Sequence, residues 1–160
     1  MGGEDNMEKF LENLEKSEKT IQIAGHLVYV TYPLIKDKRL LLKILIEIKN
    51  SLASCINAIL QYEYLYSRIR LAQNPGLNFK IFLEKCCPRY GISESSVKLI
   101  VKLFEIADKH KKSPMEFVKE DKIVILSENM HHETITLERV KEFLEVSKDV
   151  LERAKKVILR

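Results

Sequence analysis

The sequence predicts a mainly α protein. It reads as an antiparallel helical bundle of about five helices, built on a long helical hairpin, with a small β-hairpin between the last two helices. Three observations carry this. Across residues 39–71 the apolar positions Leu41, Leu45, Ile48, Leu52, Cys55, Ile59, Tyr62, Tyr66 and Ile69 recur at alternating steps of four and three. That is the spacing of a helix burying one seam, and as a helix the stretch would be roughly 50 Å long. Only the polar run Lys36, Asp37, Lys38 separates it from an earlier helical stripe (Phe10, Leu14, Ile21, Ala24, Val28, Tyr32), and so short a turn makes the two helices antiparallel neighbours. Between Ser113 and Thr136 the texture changes to β-branched runs divided by charged turns.

The elements follow in order. After a disordered tail over residues 1–5, Asp5 or Asn6 caps the first helix, and Glu15 with Lys19 supports its outer side. Pro33 is expected to kink or end it. Residues 20–35 lack Asp, Glu, Lys and Arg. They are too short and too interrupted by Gln22, Gly25, His26 and Pro33 for a membrane span, so a buried helix is expected. The long helix stops near Gln73, Asn74, Pro75 and Gly76. A short third helix carries Phe79, Phe82, Leu83 and Cys86 and ends at Pro88. Ser93 caps a fourth, with Val97, Ile100, Val101, Phe104 and Ala107 facing in. Residues 115–135 form the β appendage: a hairpin of Phe117–Val118 with residues 123–126, turning at Glu120 and Asp121. A second turn at Ser127, Glu128 and Asn129 leads to a short third strand at Thr134 and Ile135. Thr136 caps the last helix. With 160 residues and neither internal repeat nor low-complexity linker, the chain reads as a single domain over residues 1–160.

Composition narrows the function classes. The charged fraction is 31% but the net charge is only +4, less excess than a dedicated nucleic-acid binder usually shows. The three cysteines include no CxxC pair, which points to reduced thiols and a cytoplasmic location. No phosphate-binding glycine loop, nucleophile elbow or HExxH motif is present, so an enzyme is disfavoured and no cofactor is expected. Cys86 and Cys87 with His131 and His132 lack zinc-ligand spacing, so no metal is expected; the thiols are expected to be buried or idle. His26 reads as a core histidine.

The candidate interaction face lies on the long helix opposite its seam: Asn50, Ser54, Asn57, Gln61, Tyr64 and Arg68. Residues 50–62 carry no Asp, Glu, Lys or Arg. A fully solvated face in so charged a chain would carry them, so this face is expected to meet other helices, a second subunit or a ligand. Small residues (Ser51, Ala53, Ser54, Ala58) permit close approach, and amides can set register in a homodimer. The alternative is a nucleic-acid contact through Tyr64, Arg68, Arg70, Lys109, Lys111 and Lys112. Tyr62 and Tyr66 are expected in the core.

A long hairpin followed by further helices resembles the HEPN-type bundles of prokaryotes, on the strength of residues 10–19, 49–60 and 136–158. That resemblance implies an RNA-processing or toxin–antitoxin setting. The RNase members carry Arg followed by His after four to six residues, and no Arg here, from Arg39 through Arg160, has His at that distance. Only a non-catalytic member fits. The stretch from Tyr29 (Tyr-Val-Thr-Tyr-Pro-Leu-Ile-Lys-Asp) and that from Ser113 (Ser-Pro-Met-Glu-Phe) resemble short uncharacterised archaeal helical proteins. The expected role is a protein–protein interaction module or accessory subunit, with a homodimer or another protein as partner, and no membrane association.

Overall fold

A computed structural model describes residues 2–112, 115–119, 122–126 and 132–160, with side chains described for residues 7–111, 122–125 and 133–160. The first helix begins at Gly2, so the backbone of residues 2–5 is helical and Asp5 and Asn6 lie inside the helix instead of capping it. The turns at Glu120–Asp121 and Ser127–Asn129 lie outside the described residues. The bundle and its β appendage follow the sequence-based expectation.

The first rod is α1 (Gly2–His26), a π-helical turn (Leu27–Thr31) and α2 (Tyr32–Ile35). Pro33 does not end it, since helix continues to Ile35. Proline supplies no N–H and its ring crowds the carbonyl one turn back. The π turn just ahead widens the helix by one residue, so the Tyr32 N–H reaches the Leu27 carbonyl. The same device recurs at Pro88. There α4 (Pro75–Ile81) passes through a second π turn (Phe82–Cys86) and on into α5 (Cys87–Arg89), beyond the proline expected to stop it. Asn74 caps α4 by accepting from the N–H groups of Gly76 and Leu77.

The long helix, α3 (Arg39–Leu65), ends before the last steps of the predicted seam. At about 1.5 Å per residue it is nearer 40 Å than 50 Å long. Its end is a Schellman closure: the Arg68 N–H bonds the Glu63 carbonyl, the Ser67 N–H bonds that of Tyr64, and Ser67 takes a left-handed φ of 60°. Leu41, Leu45, Ile48, Leu52, Cys55 and Ile59 are buried as expected, but Tyr66 falls past the helix and is exposed. Ile69 is buried from the following loop.

α1 packs along α3 through Phe10, whose ring meets Tyr62 edge-on at 5.4 Å, and through Asn13, which donates to Gln61 Oε1 at 3.0 Å. The uncharged stretch over residues 20–35 is only half a core helix. Ala24, Val28 and Tyr32 are buried, whereas Ile23, Tyr29, Val30, Leu34 and Ile35 are exposed. His26 is exposed too, not the core histidine expected.

α6 (Glu94–Lys112) is capped by Ser93, which accepts from the Ser96 N–H. Its buried side is Ile100, Leu103, Ile106 and Ala107, rotated slightly from the expected face, so Val97, Val101 and Phe104 are only half-buried. The sheet runs β1 (Met115–Lys119), β2 (Lys122–Leu126), β3 (His132–Ile135), all antiparallel, with Phe117 opposite Val124 and Ile123 opposite Ile135. β2 lies against α3 and α6 and buries Ile123, Val124 and Ile125. Thr136 accepts from the Arg139 N–H to start α7 (Leu137–Ile158), which runs back along α3 and α1 with Lys155 Nζ 2.6 Å from Glu18. α3 is therefore the central helix, touched by α1, α6, α7 and the second π turn. Among the described residues no helix is long and apolar enough to cross a membrane.

Candidate interaction groove

The back of α3 is not uniformly covered. Where α4 and α6 converge on it, they leave a groove of about 770 Å³ lined chiefly by Ala53, Ile56, Leu60, Phe79 and Phe104, with Asn57, Gln61, Asn78 and Asp108 supplying polar edges. Each wall has a local cause. Asn78 clasps the connecting loop like a strand partner, accepting from the Ala72 N–H at 2.7 Å and donating to the Ala72 carbonyl at 2.8 Å. This pair of hydrogen bonds sets Leu71 and the start of α4 against the groove. Phe79 and Phe104 meet at 5.0 Å and make its far wall. Ala53 makes a low floor. The lining offers apolar surface and a few amide hydrogen bonds, which suits packing against an apolar face more than bond-making chemistry.

The expected interaction residues divide. Asn57 and Gln61 line the groove; Asn50 and Tyr64 are exposed on the same helix; Ser54 is buried. Arg68 sits beyond the end of α3, where its guanidinium bonds Glu63 and lies 5.3 Å and 5.1 Å from the Tyr62 and Tyr66 ring centres. The bond to Glu63, ahead of the neighbouring charge, pushes the Arg68 pKa up. Glu63 is itself only 1% exposed, and its Oε1 lies 3.1 Å from Arg89 Nε. Beside it lies the buried Tyr90 hydroxyl; burial first, then the Glu63 charge, push its pKa up.

The residues of the nucleic-acid alternative do not converge on one surface. Arg70 lies with Arg68 and Lys85 around a 380 Å³ depression. Lys109 is drawn to the other end of α6, where it and Lys102 bond Glu133 Oε1 at 3.0 Å and 2.6 Å, and Arg139 bonds Oε2. Burial opposes the charged Glu133, but the two lysines outweigh it and hold its pKa down to about 2. Lys111 is exposed and its charge, after burial, lowers the pKa of Lys49. The side chains of Lys112 and His132, and all of His131, lie outside the described residues. Cys55, Cys86 and Cys87 are buried, and desolvation pushes each thiol up to about 12. Among the described residues no group of His, Cys, Asp and Glu could hold a metal ion.

Sequence reasoning missed Leu60, Leu71, Asn78, Phe79 and Asp108 as groove residues, and read Phe104 as core. The available signal was the Asn74–Pro75–Gly76 breaker followed by a second Asn, which marks a loop pinned by side chains. Compared with protein-family models, curated proteins and solved structures, the chain matches none.

Proposed function

We propose that the protein is a non-catalytic interaction module or accessory subunit that receives an apolar helix of a partner protein in the groove between α3, α4 and α6. One observation carries this. The apolar rim lies open: Leu71 in the lining stays 37% exposed, and Phe79 and Phe104 in the far wall are only half-buried. A small ligand held inside a cavity leaves such a rim unused, whereas a helix laid in a groove covers it. Asn57 and Gln61 would fix its register.

This reading goes with the resemblance to short archaeal helical proteins and with a cytoplasmic setting; the resemblance to HEPN-type bundles goes with the RNA-associated alternative. The partner is a second copy or another protein, and light scattering on the wild-type and Asn57→Lys proteins separates these. A dimer mass that falls to monomer assigns the groove to a second copy; a wild-type monomer assigns it to another protein. A dimer untouched by Asn57→Lys removes this face from self-association. The RNA-binding alternative predicts a salt-sensitive mobility shift that depends on Arg70 and Lys111, and absence of binding at low salt ends it.

A further inference from the structure

The closed end of the helical hairpin carries the most exposed large apolar side chain in the described residues. Leu34 is 81% exposed and its neighbour Ile35 61%, immediately before the left-handed turn at Lys36. Val30 and Tyr29, a turn earlier, are also exposed. No acidic residue occurs from Thr20 to Ile35. Cations surround this tip. Lys36, Lys38 and Arg39 follow it in the chain and Lys43 comes one turn later. From α7, Lys141 and Lys148 place their ammonium groups 5.6 Å and 5.7 Å from the Tyr29 ring centre. Within residues 20–46 the one acid is Asp37, whose side chain accepts from the Arg39 N–H at 3.0 Å. On α7 the two lysines alternate with Glu138, Glu142, Glu145 and Asp149, Glu145 lying 3.7 Å from Lys148, so the positive excess belongs to Lys36, Lys38, Arg39 and Lys43 at the tip itself.

The geometry points to the hairpin tip as a shallow docking site for an anionic lipid surface, with Leu34 and Ile35 entering the headgroup–acyl boundary and the basic ring meeting the headgroups. Charge complementarity selects the occupant. A second copy docked tip to tip would set the same cations against one another. A protruding pair of adjacent aliphatic side chains offers a partner protein no groove, while a lipid interface accepts any convex shape. Basic residues bordering exposed apolar ones are the combination that binds anionic bilayers reversibly, without a spanning helix. The site is separate from the α3–α4–α6 groove, so either can fail without the other.

The test is sedimentation of the full chain with phosphatidylcholine vesicles, with and without about one third phosphatidylglycerol. Binding is expected to the anionic vesicles alone and to weaken as salt rises. Lys36→Glu and Arg39→Glu should each reduce it about fivefold or more, from the attraction typical of one basic residue. Leu34→Gln should reduce it about tenfold, the loss expected for one buried leucine, while its thermal melting stays at the wild-type value because the side chain is already in water. No binding to anionic vesicles, equal binding to neutral ones, or full binding by Leu34→Gln overturns the proposal. So does a molecular mass by light scattering that drops in Leu34→Gln, which would give the tip to a second copy.

Discussion

Ser17 and Ser51 face each other across the hairpin and bond reciprocally: each hydroxyl donates to the other residue's backbone carbonyl at 2.8 Å, with the two oxygens 3.1 Å apart. Both side chains are buried. Each hydroxyl spends its one proton across the interface instead of on its own helix, so two helices are tied at one level and their register is set. Polar residues at a helix–helix contact thus act here as a clasp between apolar layers.

Removing half of the clasp should cost about 1 kcal/mol, the usual net worth of one hydrogen bond. Ser17→Ala and Ser51→Ala are expected to lower the denaturation midpoint modestly, and the double variant to lose less than the sum because the two bonds share a geometry. Ser17→Val adds bulk at a closed contact and should cost more, about 1–3 kcal/mol. Urea denaturation of the four variants checks this.

The buried Glu63 closes the end of α3 against Arg68 and Arg89, both partly exposed. Losing the carboxylate frees arginines that water can still reach, whereas losing an arginine leaves the carboxylate less compensated. Arg89→Ala is therefore expected to destabilise by about 1–3 kcal/mol, well above a typical surface substitution, and Glu63→Gln to recover part of that loss in the Arg89→Ala background. Additive losses in the double variant would contradict the pairing.

Glu133 gives stability a dependence on pH. Its carboxyl ordinarily titrates near 4.5 and is held down to about 2 in the fold, so the folded protein keeps the charged form that the unfolded chain gives up first. The contribution is full above about pH 5 and is lost as pH falls toward 2. Denaturation at pH 7 and pH 3 should show a loss of about 1–3 kcal/mol from this site, and Glu133→Gln should flatten that slope while lowering stability at pH 7.

The three thiols are expected to be silent in the folded state. Burial both shields them and keeps them protonated, with Cys55, Cys86 and Cys87 pushed up to about 12. An aromatic disulfide reagent at neutral pH should label them at the rate of unfolding, and all three should react promptly in denaturant. Fast labelling of native protein would show the second π turn opening locally.

Much of this architecture is legible in residue spacing. The seam from Leu41 to Ile59 needs only helical periodicity to be read, and Ser93 and Thr136 announce the starts of α6 and α7 through ordinary capping chemistry. What periodicity cannot show is where a helix is interrupted or repaired. The π turns ahead of Pro33 and Pro88 leave no mark in apolar spacing, and Ser67 takes its left-handed conformation where the Arg68 N–H closes back on the Glu63 carbonyl. The groove was half legible. An uncharged back on α3 marked Asn57 and Gln61, but the groove itself arises from the approach of Phe79 and Phe104, residues separated in the chain and brought together only by the pinned loop at Ala72 and Asn78. Residues 20–35 mislead in the other sense: lack of charge there reports an exposed apolar tip as well as a buried face.

The chain contains no tryptophan, so Leu71→Trp places a single indole reporter at the exposed apolar edge of the groove. Its emission during titration with an amphipathic helical peptide, apolar at positions i, i+3, i+4 and i+7, tests the account most directly. A saturable blue shift, reduced when Phe104→Lys is added and unchanged when Leu34→Gln is added, is the expected result. Emission that stays constant across a panel of such peptides, or shifts equally in the Phe104→Lys protein, would contradict a helix-receiving groove.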